Sequence, residues 1–235
     1  MTAIYASFRQ YLRFIKRDKM LLVICFMPIV CGFIFRYGIP FLNLQLIKYL
    51  SLDLSAYYSL VDIFYGIVNA TMFCIVSALV ILEERDDHLI NSLFVTPLGK
   101  NGYLVSRLGI PALLSFIITL ILFPIFHLTS FSLGMAFVFI CAGTLQGTII
   151  SLLVVSLSSH KLEGMAVAKM ASLESMVILV PFFVKDATSY LLSWIPSFWI
   201  GKALILNQSF FLLVAIVISM IWILGLVTFF QKKIA

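Results

Sequence analysis

Residues 58–82 read YSLVDIFYGIVNATMFCIVSALVIL, and residues 83–99 continue EERDDHLINSLFVTPLG. The first stretch is long and apolar, with Asp62 its one charged residue. About 20 such residues cross a hydrocarbon core of about 30 Å. The second stretch is the dense patch of charge in an otherwise greasy chain, and a further apolar run at 104–126 follows it. A span, a short polar excursion and a return decide the fold. Backbone N–H and C=O groups in lipid must be paired internally, so spans are helices or a closed barrel. These runs are continuous and lack the period-two alternation of barrel strands, which excludes a barrel.

The same pattern extends outward. Of 235 residues, 63% are hydrophobic and 11% charged, with a mean hydropathy of +1.14. A soluble domain of this size could not keep so much apolar surface from water. Six spans are expected, at roughly 20–38, 58–82, 104–126, 131–157, 165–184 and 209–230. Pro28 and Pro124 should each kink or end a helix, because proline removes a backbone donor. The short turn from His127 to Ser130 makes spans three and four an antiparallel hairpin. In residues 1–19, Ile4, Phe8, Tyr11, Leu12 and Ile15 recur at helical spacing, with Arg9, Arg13, Lys16 and Arg17 on another side. That pattern suits an amphipathic helix in the membrane interface, or else a solvated basic tail. The first apolar run exceeds a signal-peptide core and five more follow, so it should remain in the mature protein. The expected fold class is all-α integral membrane. One transmembrane domain covers 1–235, with an interfacial helix at 1–19, a polar segment at 83–103 and an outer segment at 185–208.

The net charge of +6 carries no nucleic-acid signal, because the basic residues sit at span ends. Arg9, Arg13, Lys16, Arg17, Lys19, Arg85, Lys100, Arg107, Lys161, Lys169, Lys232 and Lys233 fall on one side. Arg36, Lys48, Lys185 and Lys202 fall on the other. By the positive-inside rule both termini, and residues 83–99 with them, face the cytoplasm. Nothing in the chain suggests catalysis. There is no phosphate loop, since Gly99-Lys100 and Gly201-Lys202 lack its glycine-rich approach, and no nucleophile elbow or zinc-protease helix. Cys25, Cys31, Cys74 and Cys141 lie in or near apolar runs without metal-type spacing, and read as small buried apolar residues.

Within the polar segment, acidic residues at 83–87 precede Leu89, Ile90, Leu93 and Phe94, which make one narrow apolar face. Pro97 stops this short helix and Gly99 turns the chain. A cytoplasmic helix joined to two spans could pass force to both. It could equally be an interfacial helix with solvated charges.

Glu84-Arg85-Asp86-Asp87, then Leu93-Phe94-Val95-Thr96-Pro97-Leu98, then Tyr103-Leu104-Val105-Ser106-Arg107 resembles the second intracellular segment of type-2 ABC-transporter permeases. Those read Glu-Arg-Glu-x-Gly-Thr-Leu, then Thr-Pro-Leu, then Tyr-Leu and a basic residue. His88 stands where Gly is usual, and Leu89 where Thr is usual. The order of features fits across nearly the whole chain, and Lys161-Leu162-Glu163-Gly164 resembles the drug-export-like members. The resemblance implies a type-2 ABC exporter fold in the plasma membrane of a bacterial cell. It implies two permeases, identical or paralogous, working with two copies of a separate ATP-binding subunit that holds ATP and Mg. This chain would then carry no cofactor. Glu84, Arg85, Asp86, Leu89, Leu93, Thr96 and Pro97 would form the coupling segment that the ATPase grips. The implied cargo is amphipathic or hydrophobic: a drug, a lipid-like molecule or a peptide.

Ionisable groups inside spans are costly and mark function or pairing. Glu174 lies near the middle of span five, and either touches substrate or pairs with a cation such as Lys169. Asp62 and Asn69 share a stripe of span two with Gly66, Phe73 and Ser77. Asp62 also suits a simple interface position. Gly143, Gly147 and Ser151 suit close packing of span four. Trp194 and Trp199 suit an interfacial belt, and the resemblance gives this outer segment short helices capping the exit. Two rivals stand beside the ABC reading. A gradient-driven secondary transporter would use Glu174 and Asp62 as proton carriers, and would be expected to show internal repeats and broken helices, neither of which is evident in the sequence. A non-transporting assembly or immunity protein would not need the coupling segment.

Overall fold

The computed structural model describes residues 2–90, 93, 99–129, 132–184 and 187–234, and they contain helices and no strand. The amphipathic N-terminus forms α1 (Thr2–Arg17). Five long apolar helices follow: α2 (Lys19–Leu50), α3 (Ser55–Asp86), α4 (Gly102–Phe126), α5 (Leu133–Leu157) and α6 (Lys161–Phe183). A shorter helix, α7 (Pro196–Leu206), precedes the last long one, α8 (Ser209–Lys232). Six of these are long and apolar enough to cross a membrane. The chain is an integral membrane protein.

The first span differs from its expected end at residue 38. Arg36, Gly38 and Pro40 look like a stop, yet α2 continues to Leu50 through a π-helical turn at Ile34–Gly38. Pro40 cannot donate to the Arg36 carbonyl four residues back, and the wider turn absorbs that loss. The same device recurs in α4, where a π turn at Val105–Gly109 comes just before Pro111. In α6 a tighter 3-10 stretch, Leu173–Leu179, comes just before Pro181. Pro28, by contrast, lies inside regular helix and does not end it, while Pro124 sits near the close of α4. Asp18 starts α2 by accepting from the Met20 and Leu21 backbone at 2.8 and 3.4 Å, a helix-capping contact of the usual kind.

Two helices form the centre. In α3 and α5, 78% and 72% of the apolar span is buried, against 17% to 28% in the other four. Apolar residues meet lipid as readily as they meet each other, so close backbone approach decides this packing. Gly147 of α5 lies against Ala70 of α3, where an added Cβ would come within 3.0 Å of the Ala70 carbonyl oxygen. Gly143 faces Gly66 and Ile67. The small-residue stripe on α5 therefore packs helices, as its spacing suggests. One core cluster, around Ile63, Tyr65, Phe123, Phe139 and Ile200, fills one half of the bundle. Another, around Leu82, Tyr103, Ile150, Val154 and Phe230, fills the half nearer the polar segment. Tyr11 and Leu21 join α1 and α2 to Val76, Leu79 and Val80 of α3.

The outer segment departs from a simple membrane anchor. α7 buries Pro196, Ser197, Phe198, Ile200, Gly201 and Ala203. Its Ser197 reaches Gln146, near the middle of α5, at 2.5 Å. Gly201 permits this, because a Cβ there would overlap the Ile178 carbonyl. The chain thus re-enters the bundle after leaving it, which membrane folds allow where the irregular backbone is covered by protein.

Candidate functional site

At the end of the bundle that carries residues 83–107, four consecutive side chains of α3 reach other elements. Glu84 is fully buried and paired with Arg107 of α4, also fully buried. Arg107 Nε donates to both Glu84 oxygens at 3.0 and 2.9 Å, and its Nη2 donates at 2.5 Å. The Tyr103 hydroxyl donates to the same carboxylate at 2.9 Å. The remaining guanidinium nitrogen, Nη1, donates to the Ser7 carbonyl at 2.7 Å and the Ser7 hydroxyl at 3.1 Å, which ties in α1. Ser77 of α3 donates to the backbone carbonyl of Arg107. That is the carbonyl left without its helical partner by Pro111.

The neighbours of Glu84 extend the web. Arg85 donates to the Ser158 carbonyl at 2.7 Å, just past the end of α5, and lies 6.0 Å from the Phe230 ring of α8. Asp86 accepts from the Lys161 backbone N–H at 2.9 Å and lies 3.0 Å from His160 Nδ1. Lys161 bridges Glu83 at 2.8 Å and Asp18 at 2.6 Å. The hydrogen bond from Lys161 holds the Asp18 carboxyl below its ordinary value. Every long helix is thereby joined to residues 83–86, α2 through Asp18 at its start.

Of the residues expected at a coupling surface, Glu84 is inside the protein and Arg85 is half-buried. Leu89 is half-buried, and Ile90 and Leu93 pack into the core cluster of Tyr103 and Phe230. The described part of the expected apolar face is thus turned inward, and Phe94 lies outside the described residues. Thr96 and Pro97 lie outside the described residues. Asp86, Asp87 and His88 are exposed. His88 closes α3 in the left-handed region, with φ of +56°, which glycine adopts without strain. This is the position where the resembled permeases carry Gly.

The three residues expected along a path through the membrane fall in different places. Asp62 is buried, and its two oxygens accept from the Leu128 and Thr129 backbone at 2.6 and 2.7 Å and from the Thr129 hydroxyl at 2.6 Å. It clamps the turn between α4 and α5. Asn69 is fully buried, and its side-chain amide has no partner among the described residues. Glu174 does not meet Lys169, which is exposed. It accepts instead from Ser197 at 3.0 Å and from Gln146. It lines a cleft of about 140 Å³ with Ile149, Leu153, Trp194, Ile195, Pro196 and Trp222.

Sequence reasoning misses Ser7 and Ser197 altogether, takes Tyr103 only as part of the family resemblance, and takes Arg107 and Lys161 as orientation signals and parts of that resemblance. The signal for Arg107 was its place four residues after Tyr103 and four before Pro111, on one helical face. Ser197 had none.

A protein-family model described as "Fluoroquinolones export permease protein Rv2686c-like" matches residues 11–230. No curated protein and no solved structure matches the chain.

Proposed function

We propose that this chain, which belongs to the Rv2686c-like family of export permeases, is the non-catalytic membrane subunit of an ATP-driven exporter. A separate ATP-binding subunit supplies the motor and holds ATP and Mg. Two permeases and two ATPases make the working complex, with both termini of this chain in the cytoplasm. The cargo is an amphipathic or hydrophobic small molecule, and the family's description points to fluoroquinolones as the first to assay.

One observation carries this reading. Residues 83–86 contact or bridge to every other span through Arg107, Ser158, Phe230, Lys161 and Asp18. A subunit that pulls on the adjoining segment would move the whole bundle, and closure of an ATPase dimer would shift the balance of conformations. The grip falls on the exposed side of the segment, at Asp86, Asp87 and His88, and on Thr96 and Pro97. Glu84 acts within the protein as a brace. Glu174 and Asn69 serve the path, and Asp62 holds its turn.

The test is co-purification with the cognate ATPase followed by Asp87→Lys with Pro97→Ala, which changes the exposed side of the segment and spares the core residue Leu93. Insertion should persist while ATP hydrolysis no longer drives transport. Unchanged assembly and transport in that variant defeats the coupling role.

A further inference from the structure

The cleft at Glu174 is chemically lopsided. Leu153, Ile149, Ile195, Pro196, Trp194 and Trp222 line it, and Glu174 is its one ionisable member. Ser197 and Gln146 each give the carboxyl one neutral hydrogen bond. Among the described residues no Lys, Arg or His lies within ion-pair distance of it. The Gln146 carbonyl oxygen is buried with no partner among the described residues. A carboxylate in apolar surroundings is costly unless a cation joins it.

The tryptophans add a second feature of the same kind. Their ring centroids lie 5.6 Å apart with planes tilted by 32°. Trp222 Nε1 donates to the Trp194 backbone carbonyl at 3.0 Å, which ties the Trp222 indole to the Trp194 main chain. Aromatic faces attract cations, tryptophan most strongly. Trp194 is 57% exposed, so the cleft opens onto the outer surface of the bundle. Its volume is below the roughly 300–1,000 Å³ of a pocket that encloses a drug-sized ligand, so it accepts one end of such a molecule.

We infer that the Glu174 cleft is a recognition subsite for the positively charged head of an amphiphilic organic cation taken up from the bilayer. The head lies against the Glu174 carboxylate and the Trp194–Trp222 pair, and the apolar body extends toward lipid. A hard metal ion is a poor occupant, since it needs six or more oxygen ligands and the lining is mostly hydrocarbon. An anion would be repelled. This inference rests on the export reading for its purpose, but the binding it describes needs no ATPase.

The test uses the full chain in nanodiscs of zwitterionic lipid, with empty nanodiscs to subtract partitioning. Decyltrimethylammonium is the probe, and decanesulfonate is its counterpart of opposite charge. The unmodified protein should bind the ammonium at least tenfold more tightly than the sulfonate. Glu174→Gln, which keeps hydrogen-bonding capacity, should weaken ammonium binding at least tenfold and leave sulfonate binding no weaker. Equal affinity for the two probes overturns the inference without any variant. Equal ammonium affinity in Glu174→Gln overturns it as well. Loss of the ATPase partnership with this binding intact would defeat the export reading alone. ATP-coupled export with no charge-selective binding would defeat the subsite alone.

Discussion

Glu84 and Glu174 are both glutamates on spans, and their surroundings are opposite. Glu84 has a guanidinium on both oxygens, a phenol beside it and no contact with solvent. Glu174 has two neutral donors, a half-open apolar cleft and no cation among the described residues. A carboxylate whose charge is answered within the chain holds the chain together. One whose charge is not answered is available to something from outside. Residue type and membrane position alone do not separate the two, and the partner set does.

The largest expected effect breaks the first half of that contrast. Arg107→Ala leaves Glu84 as an unpaired buried charge and should cost about 3–5 kcal/mol. Glu84→Met combined with Arg107→Met should recover most of that loss, because an apolar pair of similar volume is often neutral. Thermal melts in detergent of the single and double variants measure both. Next is Gly201→Ala, which forces α7 away from the Ile178 carbonyl at about 1–3 kcal/mol. It should open the Glu174 cleft and leave the web around residues 83–86 unchanged. A red shift in tryptophan emission together with retained protection of the Arg107 amide in hydrogen exchange would register that split. His88→Gly relieves a left-handed backbone and should raise stability by about 1 kcal/mol, visible as a higher melting temperature. The smallest stability effect belongs to Glu174→Gln, within about 0.5 kcal/mol, since both hydrogen bonds can be remade. A loss as large as that of Arg107→Ala would erase the distinction between the two carboxylates.

Much of the architecture was readable in advance because lipid leaves so few options. Six apolar runs, an amphipathic start and a polar excursion after residue 82 translate directly into α1, the long helices and the end of α3. The small residues on α5 gave its packing face. What composition could not give was partnership between distant segments. Ser7 meets Arg107, and Ser197 meets Glu174 and Gln146, through folding that brings α1 beneath the bundle and turns α7 back into it. Neither leaves a periodicity to read. The end of α2 was misread for a different reason. Gly38 and Pro40 are stop signals in most settings, and a π turn neutralised them. In the candidate site, the polar segment drew attention for its charge, yet Glu84 at its start is wholly inside the protein, while Asp86 and Asp87 stay exposed.

The π turn of α4 sets a phase. Tyr103, Arg107, Pro111, Ser115, Thr119 and Phe123 are all buried and stand four residues apart. On an undistorted helix of 3.6 residues per turn such a row drifts sideways by about 40° at each step. A turn that holds more residues runs slower, and Val105–Gly109 gives back part of that drift. The Arg107 that meets Glu84 and the Phe123 that meets Phe139 can therefore share one seam. Pro111→Ala would return the Arg107 carbonyl to its own helix and release Ser77. The winding would then tighten and turn the guanidinium off its carboxylate. A residue usually counted as a break in the helix acts here as the gear tooth that keeps its two halves in register.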